Sequence, residues 1–316
     1  MDLFKLISDI EKVDPEVYER LDPRRRVFKH FGLAGKAVTA AMLPGLVSGI
    51  FQRAYGQTTS LTPEITQVLN LALSLEYLEF YFYDSGLKAS NLIPATDRPA
   101  FETIRNDESG HIKVLREVLG TAAIADPTRD AFDYTGGKGL LPGPFATVFT
   151  DYKIFLGVAQ SFVDTGVRAY KGGAPVLMPN KDILESALNI HSVEARHSSH
   201  VRTVRRGVEL GNATATAVAG DLNNLNKIPK SWISGIDNGG PSPNTTPSTT
   251  PVYGAGNPAA TYPAENNTTQ AGVPIENSAM GITAAAASEA FDEPLDPTTV
   301  KSIARNFVKA TTTLFV

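Results

Sequence analysis

Asp107-Glu108-Ser109-Gly110-His111 is the stretch on which the reading of this chain turns, because its Glu108-x-x-His111 spacing returns as Glu194-Ala195-Arg196-His197. In a helix, residues three apart lie on one face in adjacent turns, so each pair can aim a carboxylate and an imidazole at one ion. One Glu-x-x-His alone is weak evidence. Two of them, each within a long helical segment, form a fairly strong signal. A third segment adds carboxylates: residues 69–83 read LNLALSLEYLEFYFY, in which Glu76 and Glu79 interrupt an otherwise apolar run. A charged group on a core face is expensive unless it is paired or bound to a metal.

These residues fall on long helical segments. The first covers 62–88. Thr62-Pro63-Glu64 supplies a cap, a proline for the first turn and an acidic residue. Val68, Leu69, Leu71, Ala72, Leu75 and Leu78 form an apolar face, and Gly86 is a plausible terminator. A second helix starts near Asp97-Arg98-Pro99 and runs to Gly120. The third follows Gly143-Pro144 and ends at Gly172-Gly173, and the fourth starts after Asn180 and ends near Gly211. At about 20 residues or more, each spans about 30 Å, the length of a bundle helix. The first and third connections are short, so both pairs are expected to be antiparallel hairpins. Residues 121–144 form a long crossover between them. The expected fold is therefore all-α, a ferritin-like four-helix bundle with one long crossover. Two Glu-x-x-His helices with a Glu from each of the other two is the di-iron carboxylate pattern.

The same segments resemble the ferritin-like superfamily, and within it the branch of desiccation-related and stress-response proteins. The resemblance rests on Val193 to His197 (Val-Glu-Ala-Arg-His), on Asp164-Thr165-Gly166-Val167 with Ala169-Tyr170, and on Glu289 to Leu295 (Glu-Ala-Phe-Asp-Glu-Pro-Leu). It covers residues 62–210 firmly and the C-terminal extension loosely. It implies a metal site built from Glu76, Glu79, Glu108, His111, Glu194 and His197. Glu76 is the better match for the first-helix ligand, while Glu79, one turn on, faces either the site or solvent. The resemblance also exposes a departure: the third-helix Glu of the family falls at Val163, which cannot bind metal. Gln160, three residues earlier on the same face, is a weak substitute, and His200 is a further candidate ligand. Asp164 lies about 100° round the helix and is read as structural.

The chain has 316 residues and no cysteine, which excludes a disulfide framework, thiolate metal sites and cysteine nucleophiles. Any ion must be held by nitrogen and oxygen donors, which points to iron, manganese or zinc; with the resemblance, the expected cofactor is iron or manganese, as one or two ions or none. A formal net charge of -4 argues against nucleic acid as a partner. Residues 1–58 read as a separate N-terminal segment: a short amphipathic helix to residue 22, then Arg24-Arg25-Arg26-Val27-Phe28-Lys29, a weakly apolar stretch from Phe31 to Phe51, and Ala54-Tyr55-Gly56. This layout resembles a twin-arginine export signal. It implies a periplasmic or cell-envelope location. If the segment belongs to the mature fold, the location is cytoplasmic. Residues 59–211 form the bundle. Residues 212–316 are read as a loop-rich C-terminal extension that wraps back on it, with a linker-like Pro241–Pro251 (PSPNTTPSTTP) and a last helix from Asp296 to about Lys309.

Two functional expectations follow. One is a metal-dependent oxidase or peroxide-consuming stress protein acting on O2 or peroxide, its site short of one carboxylate. The other is a metal-free structural or desiccation-protective envelope protein, in which buried carboxylates pair with histidines and with Arg105 or Arg196. A homodimer through the apolar faces of the first two helices fits both.

Overall fold

The computed structural model describes residues 61–140, 142–209, 230–233 and 250–316. The expected N-terminal segment, its export signal and most of the Pro241–Pro251 linker lie outside them. Long helices dominate: α1 (Pro63–Lys88), α2 (Arg98–Leu119), α3 (Tyr152–Leu177) and α4 (Lys181–Glu209). α1 packs on α2, α3 on α4, and α1 crosses to α3. The all-α bundle expected from the sequence is what the chain forms. No helix among the described residues is long and apolar enough to cross a membrane.

The helix starts follow from local chemistry. The Thr62 hydroxyl accepts from the Ile65 amide, and Pro63 opens α1, where a missing N–H loses nothing. At α3, the Asp151 carboxylate accepts from the Lys153 and Ile154 amides. Asp97 precedes α2 without capping it, and its carboxylate instead accepts from the Tyr152 hydroxyl at 2.8 Å.

The ends differ from the sequence reading. Gly86 lies inside α1 rather than after it, because its bare backbone admits the ring of Phe155. Gly172 and Gly173 lie inside α3, which continues past Pro175 to Leu177. The glycines are there for close approach. A side chain on Gly172 would collide with the backbone of Leu295, and one on Gly173 would press on Val68. α3 also begins later than expected, at Tyr152, so the crossover runs from 120 to 151. It is packed onto the bundle by Tyr134, whose hydroxyl donates to the Leu78 carbonyl at 2.7 Å.

The extension closes over α3. A two-residue hairpin joins β1 (Thr269–Gln270) to β2 (Val273–Pro274), followed by α5 (Ala284–Ser288) and α6 (Pro297–Ala304). The Asp296 side chain caps α6 through the Thr298 and Thr299 amides. Leu295 donates its amide to the Arg168 carbonyl on α3 at 3.0 Å, and Asp133 of the crossover donates to the Phe307 carbonyl at 2.8 Å. An aromatic cluster joins these parts: Phe82 stacks on Phe155 at 4.8 Å, and Phe162 meets Phe307 edge-on at 4.7 Å. Burial of each such ring stabilises the fold by about 1.5–3 kcal/mol.

Candidate metal centre

All six principal candidates are buried: Glu76 and Glu79 on α1, Glu108 and His111 on α2, Glu194 and His197 on α4. Each helix contributes its two residues at a spacing of three, so the pairs sit at one level of the bundle. The Nδ1 of His111 lies 3.0 Å from Glu76 Oε2, 3.2 Å from Glu108 Oε2 and 3.2 Å from Glu194 Oε1. One ring nitrogen carries at most one hydrogen, so it cannot donate to three carboxylates from three helices. Donor atoms of Glu76, Glu108, His111 and Glu194 all lie within 4.8 Å of one another, close enough to share an ion.

His197 faces the same layer from the other side. Its Nδ1 is 3.1 Å from Glu108 Oε1 and 3.7 Å from Glu194 Oε2, and its Nε2 is 3.2 Å from Asp107 Oδ2. A carboxylate behind a ligating imidazole fixes its tautomer and orientation. Several buried atoms here have no hydrogen-bond partner: Glu79 Oε2, Glu108 Oε1, both oxygens of Glu194 and His197 Nδ1. Glu194 Oε1 is near His111 in distance but lacks hydrogen-bond geometry, which is why proximity and satisfaction disagree there. Buried polar atoms are rarely left unpaired, and a bound cation would satisfy a cluster of them. Imidazole and carboxylate donors without thiolate suit iron, manganese or zinc.

The electrostatics agree. Burial, outweighing the nearby His111, raises Glu76 from 4.5 to about 8. Glu79 is also raised, by burial first and then by Glu194, Glu108 and Glu76. Burial would raise Glu194 as well, but His197 and His111 outweigh it and bring its value down to about 2. Burial disfavours charge on both imidazoles, yet the surrounding carboxylates raise His111 and His197. Four carboxylates thus crowd two imidazoles in one buried layer.

Two further candidates lie elsewhere. Gln160 is buried, but its amide donates to the Tyr253 hydroxyl at 2.9 Å and its carbonyl accepts from Arg205 at 2.9 Å. The side chain that was to replace the missing carboxylate is therefore held in a different network. His200 packs edge-on against Phe101 and is not among the converging donors. Arg105 turns to Asp84, and Arg196 is exposed, so neither neutralises the layer. Asp164 is structural as expected, bound through both oxygens by Arg202.

The sequence reading missed Tyr170, whose hydroxyl donates to Glu76 Oε1. Positions 163, 166 and 170 share one helical face of α3, a spacing that could have found it. Tyr83 is buried with an unpartnered hydroxyl, and burial followed by Glu79, Glu108 and Glu194 raises it. A surface groove of about 1080 Å³ runs between the outer face of α1, the crossover and the C-terminal residues, and none of the six candidates lines it.

No curated protein and no solved structure matches the chain. Residues 64–206, from the first turn of α1 to the last turn of α4, match the family model of the ferritin-like domain, and the match spans the three helices that hold the Glu/His layer.

Proposed function

We propose that this protein binds a redox-active ion, iron or manganese, at Glu76, Glu108, His111 and Glu194, and acts as an oxidase or peroxide-consuming protein. The observation that carries this is the convergence of three carboxylates from three helices on one nitrogen of His111. An ion held there supplies one-electron exchange with a small oxidant such as O2 or peroxide. The chain supplies the rest. The four helices fix the donors on rigid elements and exclude bulk water, which strengthens every charge interaction inside. Asp107 orients His197. Tyr170 holds Glu76 from the α3 side and can give or take a hydrogen-bonded proton at Glu76 Oε1. An apolar crevice of about 30 Å³ is lined by Leu75, Ala169, Tyr170, Leu177, Ala187 and Val300, so this tyrosine forms part of its wall. It accommodates roughly one water-sized molecule, which matches a diatomic oxidant better than an organic substrate.

The test is elemental mass spectrometry of the purified full chain from iron- and manganese-supplemented medium, followed by O2 and peroxide consumption. At least one ion per chain, lost in His111→Ala, is the expected result. An intact fold without metal would instead support a structural envelope role.

A further inference from the structure

The crevice beside Tyr170 and the surface groove share three lining residues, Val68 and Leu71 of α1 and Pro297 at the start of α6. The two spaces are therefore neighbours, with these side chains between them. Val68 and Leu71 are half-buried and Pro297 is exposed, so the partition belongs to the surface rather than the core. Behind it, the crevice exists because the helices meet there through Ala72, Ala169, Gly173 and Ala187. A Cβ on Gly173 would lie 2.9 Å from Val68 Cγ1 and would narrow the space. The C-terminal extension supplies the remaining wall through Leu295 and Val300. Both are buried, and the Leu295 amide is tied to the Arg168 carbonyl of α3.

We propose that the extension builds an entrance for small apolar molecules, which pass from the groove across Val68, Leu71 and Pro297 into the crevice and collect against Tyr170. Its use rests on the reading of the Glu/His layer as a centre that meets a small oxidant. Three observations support it. First, every side chain lining the crevice is apolar apart from Tyr170, and that hydroxyl donates to Glu76 Oε1. A polar visitor would give up its hydrogen bonds to water and regain none, whereas a diatomic gas gives up nothing. Apolar spaces of this kind take up apolar guests such as xenon. Second, the volume of about 30 Å³ admits one such molecule and no larger substrate. Third, Tyr170 is wall to the crevice and hydrogen-bond donor to Glu76, so a molecule held there is one side chain from the layer. The partition opens by rotation of half-exposed side chains, a motion of picoseconds to nanoseconds that needs no helix to move.

The experiment places the metal-free full chain, carbon-13-labelled at its Leu, Val and Ala methyl groups, under xenon pressure and follows the methyl signals by nuclear magnetic resonance. Xenon is expected to shift the methyls of Leu75, Leu177 and Val300, which line the crevice and not the groove. Ala72→Leu, which fills the crevice, should abolish these shifts and keep the wild-type metal content. Its O2 uptake after loading with iron(II) should fall about tenfold, because entry then limits the rate. Val68→Phe, at the partition, should lower both readouts and serves if Ala72→Leu does not fold. If neither folds, the wild-type xenon response decides. No xenon response at the three methyls overturns the pocket. A response lost in Ala72→Leu with O2 uptake unchanged overturns the entrance. A xenon response in a wild type that takes up no O2, with or without bound iron, overturns the oxidation and so the use of the entrance, while the pocket stands.

Discussion

Two polar layers are buried in the same bundle, and they differ in how their charges are answered. The Glu/His layer gathers four carboxylates and two imidazoles, and several of its atoms lack partners. The other layer is built on arginine. Arg168, fully buried on α3, pairs with Glu265 at 2.7 Å and donates to the carbonyls of Val252, Gly254, Pro263 and Glu293. Beside it, Arg202 grips Asp164, which also accepts from the hydroxyls of Tyr253 at 2.7 Å and Ser198 at 2.7 Å. There, side chains from the bundle meet backbone carbonyls from the extension, and the purpose is attachment. Burial of charge therefore does not mark function by itself. A cluster of buried carboxylate and imidazole atoms without hydrogen-bond partners does, because their neighbours offset their desolvation only in part.

The sharpest way to break this contrast is to remove the clamp. Arg168→Met is expected to destabilise the protein by about 3–5 kcal/mol, since it strands Glu265 and four carbonyls. Urea denaturation of the metal-free protein measures it. Metal content of the fraction that folds should stay at the wild-type value. If Arg168→Met instead empties the metal centre at unchanged stability, the two layers are one system.

The next effect runs the other way. Manganese at about one hundred times its dissociation constant should stabilise the wild type by about 2.7 kcal/mol per site, seen as a rise in melting temperature. The double variant His111→Ala/His197→Ala should show no such rise, while Glu265→Gln should keep it. An equal rise in all three would mean that the ion binds elsewhere.

A smaller effect separates the layers by pH. Burial lifts both Glu76 and Glu265 from 4.5 to about 8, against the pull of His111 and of Arg168 respectively. A raised carboxylate favours the protonated folded state. Its stabilisation is complete below the unfolded value near 4.5 and is lost as pH rises through about 8. Glu194, lowered to about 2, acts oppositely and weakens the fold only as pH falls from 4.5 through 2. The metal-free protein should therefore melt at progressively lower temperature between pH 5 and pH 8.5. Saturating manganese, which takes the place of the proton on Glu76, should flatten the part of that slope that Glu76→Gln removes. The part due to Glu265 should persist. A slope untouched by manganese would detach Glu76 from the ion.

The surface provides the smallest effect and a control. Lys88 pairs with Asp84 at 2.6 Å in a solvent-exposed position. Lys88→Ala should change stability by less than about 1 kcal/mol and leave metal content alone, by the same denaturation and elemental measurements.

Much of the metal layer was legible in the chain because its information is local. A Glu and a His three residues apart share a helical face whatever surrounds them, and a cap such as Thr62 acts on amides within its own turn. The misreadings came where distant backbone approaches. Gly172 and Gly173 look like a terminator, yet α3 runs through them because Leu295 and Val68 need the room. Gln160 looks like a substitute ligand from its register, yet Tyr253, 93 residues away, claims its amide. Glu79 could not be assigned to site or solvent from α1 alone, since its surroundings depend on the absent side chain at Gly166.

By itself, then, the sequence determined the four helices, their pairing into hairpins and the three donor pairs, because periodicity and capping act within a few residues. Tertiary structure alone decided which of those donors converge, which are held in other networks, and how the extension is clamped to α3. Those outcomes depend on contacts between positions many turns apart, whose geometry no local pattern encodes.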